Sequence, residues 1–329
     1  MKNNIIEFYR FIFILCICIM HFFTNYYGTL EIKYFGGGYL PVEFFFILSG
    51  FLLALKVDKS SENKSVFDFF FSKLKRFYPI YICALLIIFI YYSIINNAII
   101  IEPINFLLEI LILSAFYGPL NPPSWFLGVL IFDLPIIYFF MIRYKNLFYI
   151  LSPYIVIFIY INVLYQYKIL DVWYQNYGLL TIGVYRGIAG ILLGCISYKI
   201  YDKLKKNRLN KSVIFFIECI CLFILLKIIF GAGRNINDFI VPFLFSILII
   251  TAFLPQIKYV SILNTKYISF LGNLTLSIFL NHWIVFQVIF RYLKFLDLKY
   301  LIIIYIILII SWSYFLNKVL NNILKKVFK

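Results

Sequence analysis

Arg10 and His21 stand eleven residues apart in the apolar stretch FYRFIFILCICIMHF. Eleven helical steps of about 100° bring two side chains back to within about 20° of one face, about 16 Å apart along the axis. An imidazole titrating near neutrality suits a general base, and a guanidinium suits a phosphate or a developing oxyanion. Glu7, three residues before Arg10, is also placed to neutralise it. His21, one of only two histidines and set in the outer part of its run, favours a functional reading over a packed one.

Seven further residues carry polar chemistry inside or beside apolar sequence. Glu43 in PVEFFFILSGFLL could orient a cationic partner such as a histidine, or could sit as a carboxylate at a helix N-terminus. Ser49-Gly50 in the same run reads as a close helix contact, because no base accompanies the serine. Lys73 and Arg76 in SKLKRFYPIY lie three residues apart, on the basic face of an amphipathic stretch suited to a phosphate or to anionic headgroups. Pro79 is expected to open the next span from its first turn. Trp125 reads as an interfacial belt residue or a site residue, Arg186 lies too deep to snorkel, and His282 falls in the outer half of its run, on the side of His21. A polar chamber shared by these last groups follows as an expectation. An ionised group in mid-bilayer costs about 2.5 to 3.5 kcal/mol on insertion scales, so each needs a partner, a cavity or a task.

The elements that must carry these residues are membrane helices. Of 329 residues 64% are hydrophobic and 13% charged, where a soluble domain has about half and about a quarter. Apolar runs lie at 5–27, 38–56, 78–97, 125–143, 147–166, 178–198, 212–230, 239–256, 269–290 and 300–317, with a shorter one at 104–118. No ten-residue alternating segments of a barrel appear. The net charge of +16 is explained by basic cytoplasmic loops and calls for no nucleic-acid partner. Cys16, Cys18, Cys83, Cys195, Cys219 and Cys221 all lie in apolar runs without metal spacing, so no metal is expected.

Loops carrying Lys56, Lys59, Lys64, Lys73, Lys75 and Arg76, and Lys199, Lys203, Lys205, Lys206, Arg208 and Lys211, should share one side. An even number of crossings must then separate them, so 104–118, which holds Glu109 and ends in Gly118-Pro119, reads as re-entrant or interfacial. The expectation is an all-α polytopic protein of about ten transmembrane helices with both termini cytoplasmic, one membrane domain over 1–329. Its first run, with Arg10 in the middle, reads as a retained span and not a signal peptide.

In order and spacing these segments resemble the acyltransferase family 3. Arg10 with His21 resembles its first-span signature, PVEFFFILSGF its second-span motif, Lys73 to Arg76 its RxxR pair before a proline, and VYRGIAGILLG and LSIFLNHW its later arginine and histidine segments. Lys73 replaces the first arginine of the pair and so lacks its bidentate fork. WFL stands where many members have W-S-L followed by glutamate; Leu130 takes the glutamate position, and Asp133 follows three residues later. The resemblance implies the short form without an extracytoplasmic domain and transfer of an acyl group, commonly acetyl, from cytoplasmic acyl-CoA to a hydroxyl of an envelope glycan or lipid-linked sugar. His21 and Arg10 would be catalytic. Lys73, Arg76, Arg186, His282, Glu43 and Trp125 would bind substrates, with acetyl-CoA as donor and no permanently bound cofactor. A transporter or flippase of a lipid-linked substrate and a non-catalytic acyl-CoA or lipid receptor are the competing classes. Sequence leaves the acceptor, the acyl length and the oligomeric state open. The Ile, Lys, Asn, Phe and Tyr bias fits AT-rich coding and a bacterial inner membrane.

Overall fold

The computed structural model describes residues 3–60, 64–96, 102–116, 119–256, 263 and 265–327. The long helices in chain order are α1 (Asn4–Tyr27), α2 (Pro41–Lys59), α3 (Val66–Asn96), α5 (Ser124–Arg143), α6 (Lys145–Tyr167), α7 (Ile182–Leu204), α8 (Lys211–Phe230), α9 (Val241–Phe253), α10 (Lys266–Tyr292) and α11 (Leu298–Val327). Each of the ten longer apolar runs coincides with one of them. A short α4 (Pro103–Ile110) lies between α3 and α5, and two-residue strands β1 (Asn176–Tyr177) and β2 (Leu180–Thr181) form a hairpin between α6 and α7. Residues 97, 117 and 118, at the ends of two expected runs, lie outside the described residues.

Among the described residues eight helical stretches are long and apolar enough to cross a bilayer, and the chain is an integral membrane protein. The two long helices not among them, α2 and α7, carry Glu43 and Arg186 and lie largely within the bundle. They run parallel in backbone contact. A Cβ on Gly50 would stand 1.9 Å from the Ile191 carbonyl oxygen, and one on Gly194 1.9 Å from that of Ile47. The Cys195 thiol reaches the Gly50 carbonyl at 3.4 Å. Small residues permit this approach, which is how membrane helices gain contact where lipid removes the hydrophobic drive. Gly50→Ala must push backbone from backbone and is expected to cost about 1–3 kcal/mol, read as a lower Tm in detergent.

Helices α1 and α10 are likewise parallel and in constant register. Asn4 meets Ser269, Glu7 meets Gly272 and Arg10 meets Thr275. Helix α4 is too short to cross by itself. Eight residues rise about 12 Å, well short of a hydrocarbon core of about 30 Å. The segment doubles back along α5, so that a Cβ on Gly128 would lie 2.9 Å from the Ile112 carbonyl oxygen. Glu109 is fully buried there, accepting from the Tyr81 hydroxyl at 2.9 Å and from the Leu120 N–H.

Helix α3 departs from expectation. Pro79 lies inside one continuous helix that joins the amphipathic stretch to the span, and does not begin a new one. The proline supplies no N–H to that turn, a loss tolerated where neighbouring helices support the backbone. Lys73, Lys75 and Arg76 are therefore held rigidly on the helix that enters the bundle.

At the end opposite the basic loops, the Gly36 and Gly37 N–H groups bond the Gly231 and Ile229 carbonyls. Arg234 pairs with Asp171 at 2.8 Å, and the Tyr39 hydroxyl donates to Asp238, which also accepts from the Leu170 N–H. These bonds tie the α1–α2, α6–α7 and α8–α9 connections together.

Candidate active site

A cavity of about 550 Å³ opens among α1, α2, α3, α5, α10 and α11 at the end that carries the basic loops. Arg10, Lys56, Lys73, Lys75 and Arg76 line it, against a single carboxylate, Glu7. Lys56 and Lys73 both lie over the Phe69 ring, 5.8 and 5.2 Å from its centroid, and Phe69 stacks on Tyr138 at 4.3 Å. Two cations on one aromatic platform are thus drawn together from different helices. No carboxylate pairs with Lys56, Lys73, Lys75 or Arg76 among the described residues. Such a mouth attracts a polyanion.

Deeper in, the lining becomes apolar: Ile14, Phe45, Leu48, Phe126, Leu130 and Phe279. Ser49 also faces the cavity, but its hydroxyl is spent on the Phe45 carbonyl at 2.7 Å. From Asn3 to Ile14 the lining residues of α1 cover about 16 Å of rise. A narrow slot of that depth, charged at the mouth and apolar below, accepts a thin chain whose charged head stays outside.

Arg10 is held on two sides. Nη1 donates to Glu7 Oε2 at 2.8 Å, and Nη2 to Thr275 Oγ1 at 2.8 Å. Glu7 lies one turn toward the mouth and Thr275 level with Arg10 on α10; helical side chains lean toward their N-terminus, so the guanidinium points away from His21. Of the two tasks expected of Arg10, this orientation suits holding the donor. Gly272 admits the carboxylate, since a Cβ there would stand 2.0 Å from Glu7 Oε2. Gly272→Ala is expected to displace Glu7, release Arg10 and raise KM for the donor several-fold with little change in kcat, measured by initial rates.

The two histidines meet beyond the apolar end. Their ring centroids are 5.3 Å apart and stacked, and Trp283 stands edge-on to His21 at 5.9 Å. His282 is fully buried. Its Nδ1 lies 2.7 Å from the Phe279 carbonyl oxygen, which can only accept, so Nδ1 carries the proton and Nε2 keeps a lone pair. That Nε2 has no partner among the described residues. His21 is half-buried and does not line the cavity; it lies past the floor formed by Phe126 and Phe279, whose centroids are 5.3 Å apart.

Glu43 and Arg186 do find each other, but not as expected. The cation beside Glu43 is Arg186 and not a histidine: Nε and Nη2 each lie 2.8 Å from Oε1, and Tyr160 donates to Oε2 at 3.0 Å. Both residues are at most 1% exposed. Arg186 is also 5.8 Å above the Trp125 ring, which stacks on Trp173 at 5.3 Å and 7°. Trp125 is therefore buried beneath an arginine and is not a lipid-facing belt residue. The expected chamber shared by Arg186 and the histidines is divided by the rings of Phe46, Phe126 and Phe279.

Sequence reading did not assign Lys56, Lys75, Thr275, Tyr160 or the Phe279 carbonyl. Lys56 and Lys75 were visible only as loop charge; the others enter through contacts with candidate-site residues that the local pattern does not reveal. Asp133, near the position where many relatives carry glutamate, faces α7: it is buried, its Oδ2 lacks a partner among the described residues, and a Cβ on Gly187 would reach within 2.6 Å of it. Leu130 lines the cavity in its place. No group of three metal-ligating side chains occurs among the described residues.

A family model described as an acyltransferase domain matches residues 3–318. No curated protein and no solved structure matches the chain. A match of that extent, over a cavity built from the same first, second, third and ninth long segments that carry motifs, leads to one assignment: the chain belongs to the acyltransferase family 3.

Proposed function

We propose that this membrane acyltransferase is an O-acyltransferase that takes an acyl group, most simply acetyl, from acyl-CoA and places it on a hydroxyl of a cell-envelope glycan or lipid-linked sugar. The observation that carries the reading is the slot itself: unpaired cations at its mouth, apolar walls below, and two stacked histidines beyond its floor. On this reading the basic end is cytoplasmic, ten helices cross and both termini lie inside; 21 of the 30 basic residues fall on that side. A bacterial inner membrane suits that arrangement. Partners are acyl-CoA, the glycan acceptor and the bilayer.

The phosphates of the donor rest on Lys73 and Arg76, aided by Lys56 and Lys75. The pantetheine arm passes Arg10 toward Ile14 and Phe279, and the thioester enters the histidine site once the Phe126 and Phe279 rings turn aside. His21 takes the proton of the acceptor hydroxyl as its oxygen attacks the thioester carbonyl carbon. The carbon–sulfur bond then breaks, and the leaving thiolate recovers that proton from the His21 imidazolium, giving free CoA and the ester. His282, its tautomer fixed by the Phe279 carbonyl, holds the His21 ring in place. Glu43, Arg186 and Trp125 act at a distance, by fixing α2, α5 and α7 around the site.

Charge-assisted hydrogen bonds contribute about 1.5–3 kcal/mol each. Lys73→Ala and Arg76→Ala are each expected to weaken acetyl-CoA binding roughly tenfold or more, while leaving binding of acetyl-pantetheine, which lacks phosphate, unchanged. Equal losses for both donors in equilibrium binding would place these cations outside the donor site.

A further inference from the structure

His21 is half-buried, yet it lines no part of the donor cavity, and the ring stacked on it, His282, is fully buried. The exposed part of His21 therefore belongs to another surface, and two residues continue it. Trp283 of α10 stands edge-on to His21 at 5.9 Å, and its Nε1 donates to the Tyr92 hydroxyl of α3 at 3.3 Å. Both are half-buried like His21, and neither lines the donor cavity. His21 stands six residues before Tyr27, the last of α1, so about 9 Å of helix separates this surface from the end opposite the basic loops.

The Tyr92 oxygen accepts the indole N–H and so fixes the Trp283 ring across two helices. The proton of the Tyr92 hydroxyl itself has no acceptor among the described residues. Three features thus adjoin: an imidazole, a broad aromatic ring and a free hydroxyl donor. A hydrocarbon chain uses only the ring, and an open-chain polyol only the polar groups. A ring sugar uses all three, because it carries hydroxyls at its rim and a face of C–H groups that packs on the negative face of an aromatic ring. We infer that Trp283 and Tyr92 form the acceptor subsite: a sugar ring lies against the Trp283 indole, the Tyr92 hydroxyl donates to one of its oxygens, and a neighbouring hydroxyl meets His21. This rests on the transferase reading and deepens it, by naming a ring sugar as the group recognised and the side of His21 away from the donor cavity as its place.

The test titrates an envelope glycan extract as acceptor at saturating labelled acetyl-CoA, with the purified full chain in detergent. Trp283→Leu is expected to raise the apparent KM for the extract roughly tenfold or more and to leave the Kd for acetyl-CoA unchanged, which also reports a folded protein. Trp283→Phe, which keeps a ring, should recover most of the loss, and Tyr92→Phe should raise the same KM several-fold. Methyl β-glucopyranoside should compete with the extract in the wild type, and sorbitol, which offers hydroxyls without a ring, should not; Trp283→Leu should treat the two alike. An unchanged acceptor KM in Trp283→Leu, or equal competition by sorbitol and the glucoside in the wild type, overturns the inference. A loss in kcat alone also overturns it, since Trp283 would then only support the His21 ring. If the wild type acetylates the extract and the variants match it, only this subsite falls; if the wild type acetylates nothing, the transferase reading falls with it.

Discussion

His21→Ala is expected to lower acyl transfer by about 10²–10⁴-fold, the contribution of a positioned general base, while the Kd for acetyl-CoA stays as in the wild type. The separation follows from geometry. His21 lies beyond the apolar floor and does not line the cavity, whereas the cations that would bind the donor lie at its mouth. His282→Ala is expected to reduce kcat as well, because the stacked ring 5.3 Å away holds His21 in place. The two histidines share one site, so the double variant should lose little more than His21→Ala alone. If His21→Ala retained activity and His282→Ala did not, the unpartnered Nε2 of His282 would be the base. Initial rates with binding measured in parallel decide between these results.

Glu43→Ala is expected to cost about 3–5 kcal/mol of stability, the effect of stranding a buried charge. Arg186 is 1% exposed and bonded through two nitrogens to one carboxylate oxygen, and no other carboxylate pairs with it among the described residues. Tyr160 would lose its acceptor at the same time. Replacing both partners, as Glu43→Leu with Arg186→Met, should cost much less than either single change, because no charge is left unpaired. Thermal unfolding in detergent reads both, and additive losses in the double variant would show that the two residues act independently.

Much of this architecture was legible because helix periodicity and hydropathy are local. Each long run gave its helix, and the spacing of Arg10 and His21 put both on one face of α1. The meeting of His21 with His282 was anticipated from their common depth. Depth, however, says nothing of which helices are neighbours. Glu43 and Arg186 lie 143 residues apart, and their pairing depends on parallel packing of α2 and α7 through Gly50 and Gly194, which only the assembled bundle displays. Pro79 misled because a proline is as compatible with a supported helix interior as with a first turn. Trp125 admitted two readings, belt or site, because an aromatic at the end of an apolar run suits an interface until a second tryptophan stacks on it. The cavity mouth was half visible: its lysines stood out as charge, but the helices that gather them around one opening are displayed only by the assembled bundle.

The most direct test of the central claim is release of CoA thiol from acetyl-CoA by purified protein and its His21→Ala variant, each with and without an envelope glycan extract, with labelled acetyl followed into the glycan. Acceptor-dependent release by the wild type alone, with label recovered in an alkali-labile ester, is the expected result. Binding of acetyl-CoA without release by either protein would contradict an acyltransferase at this site.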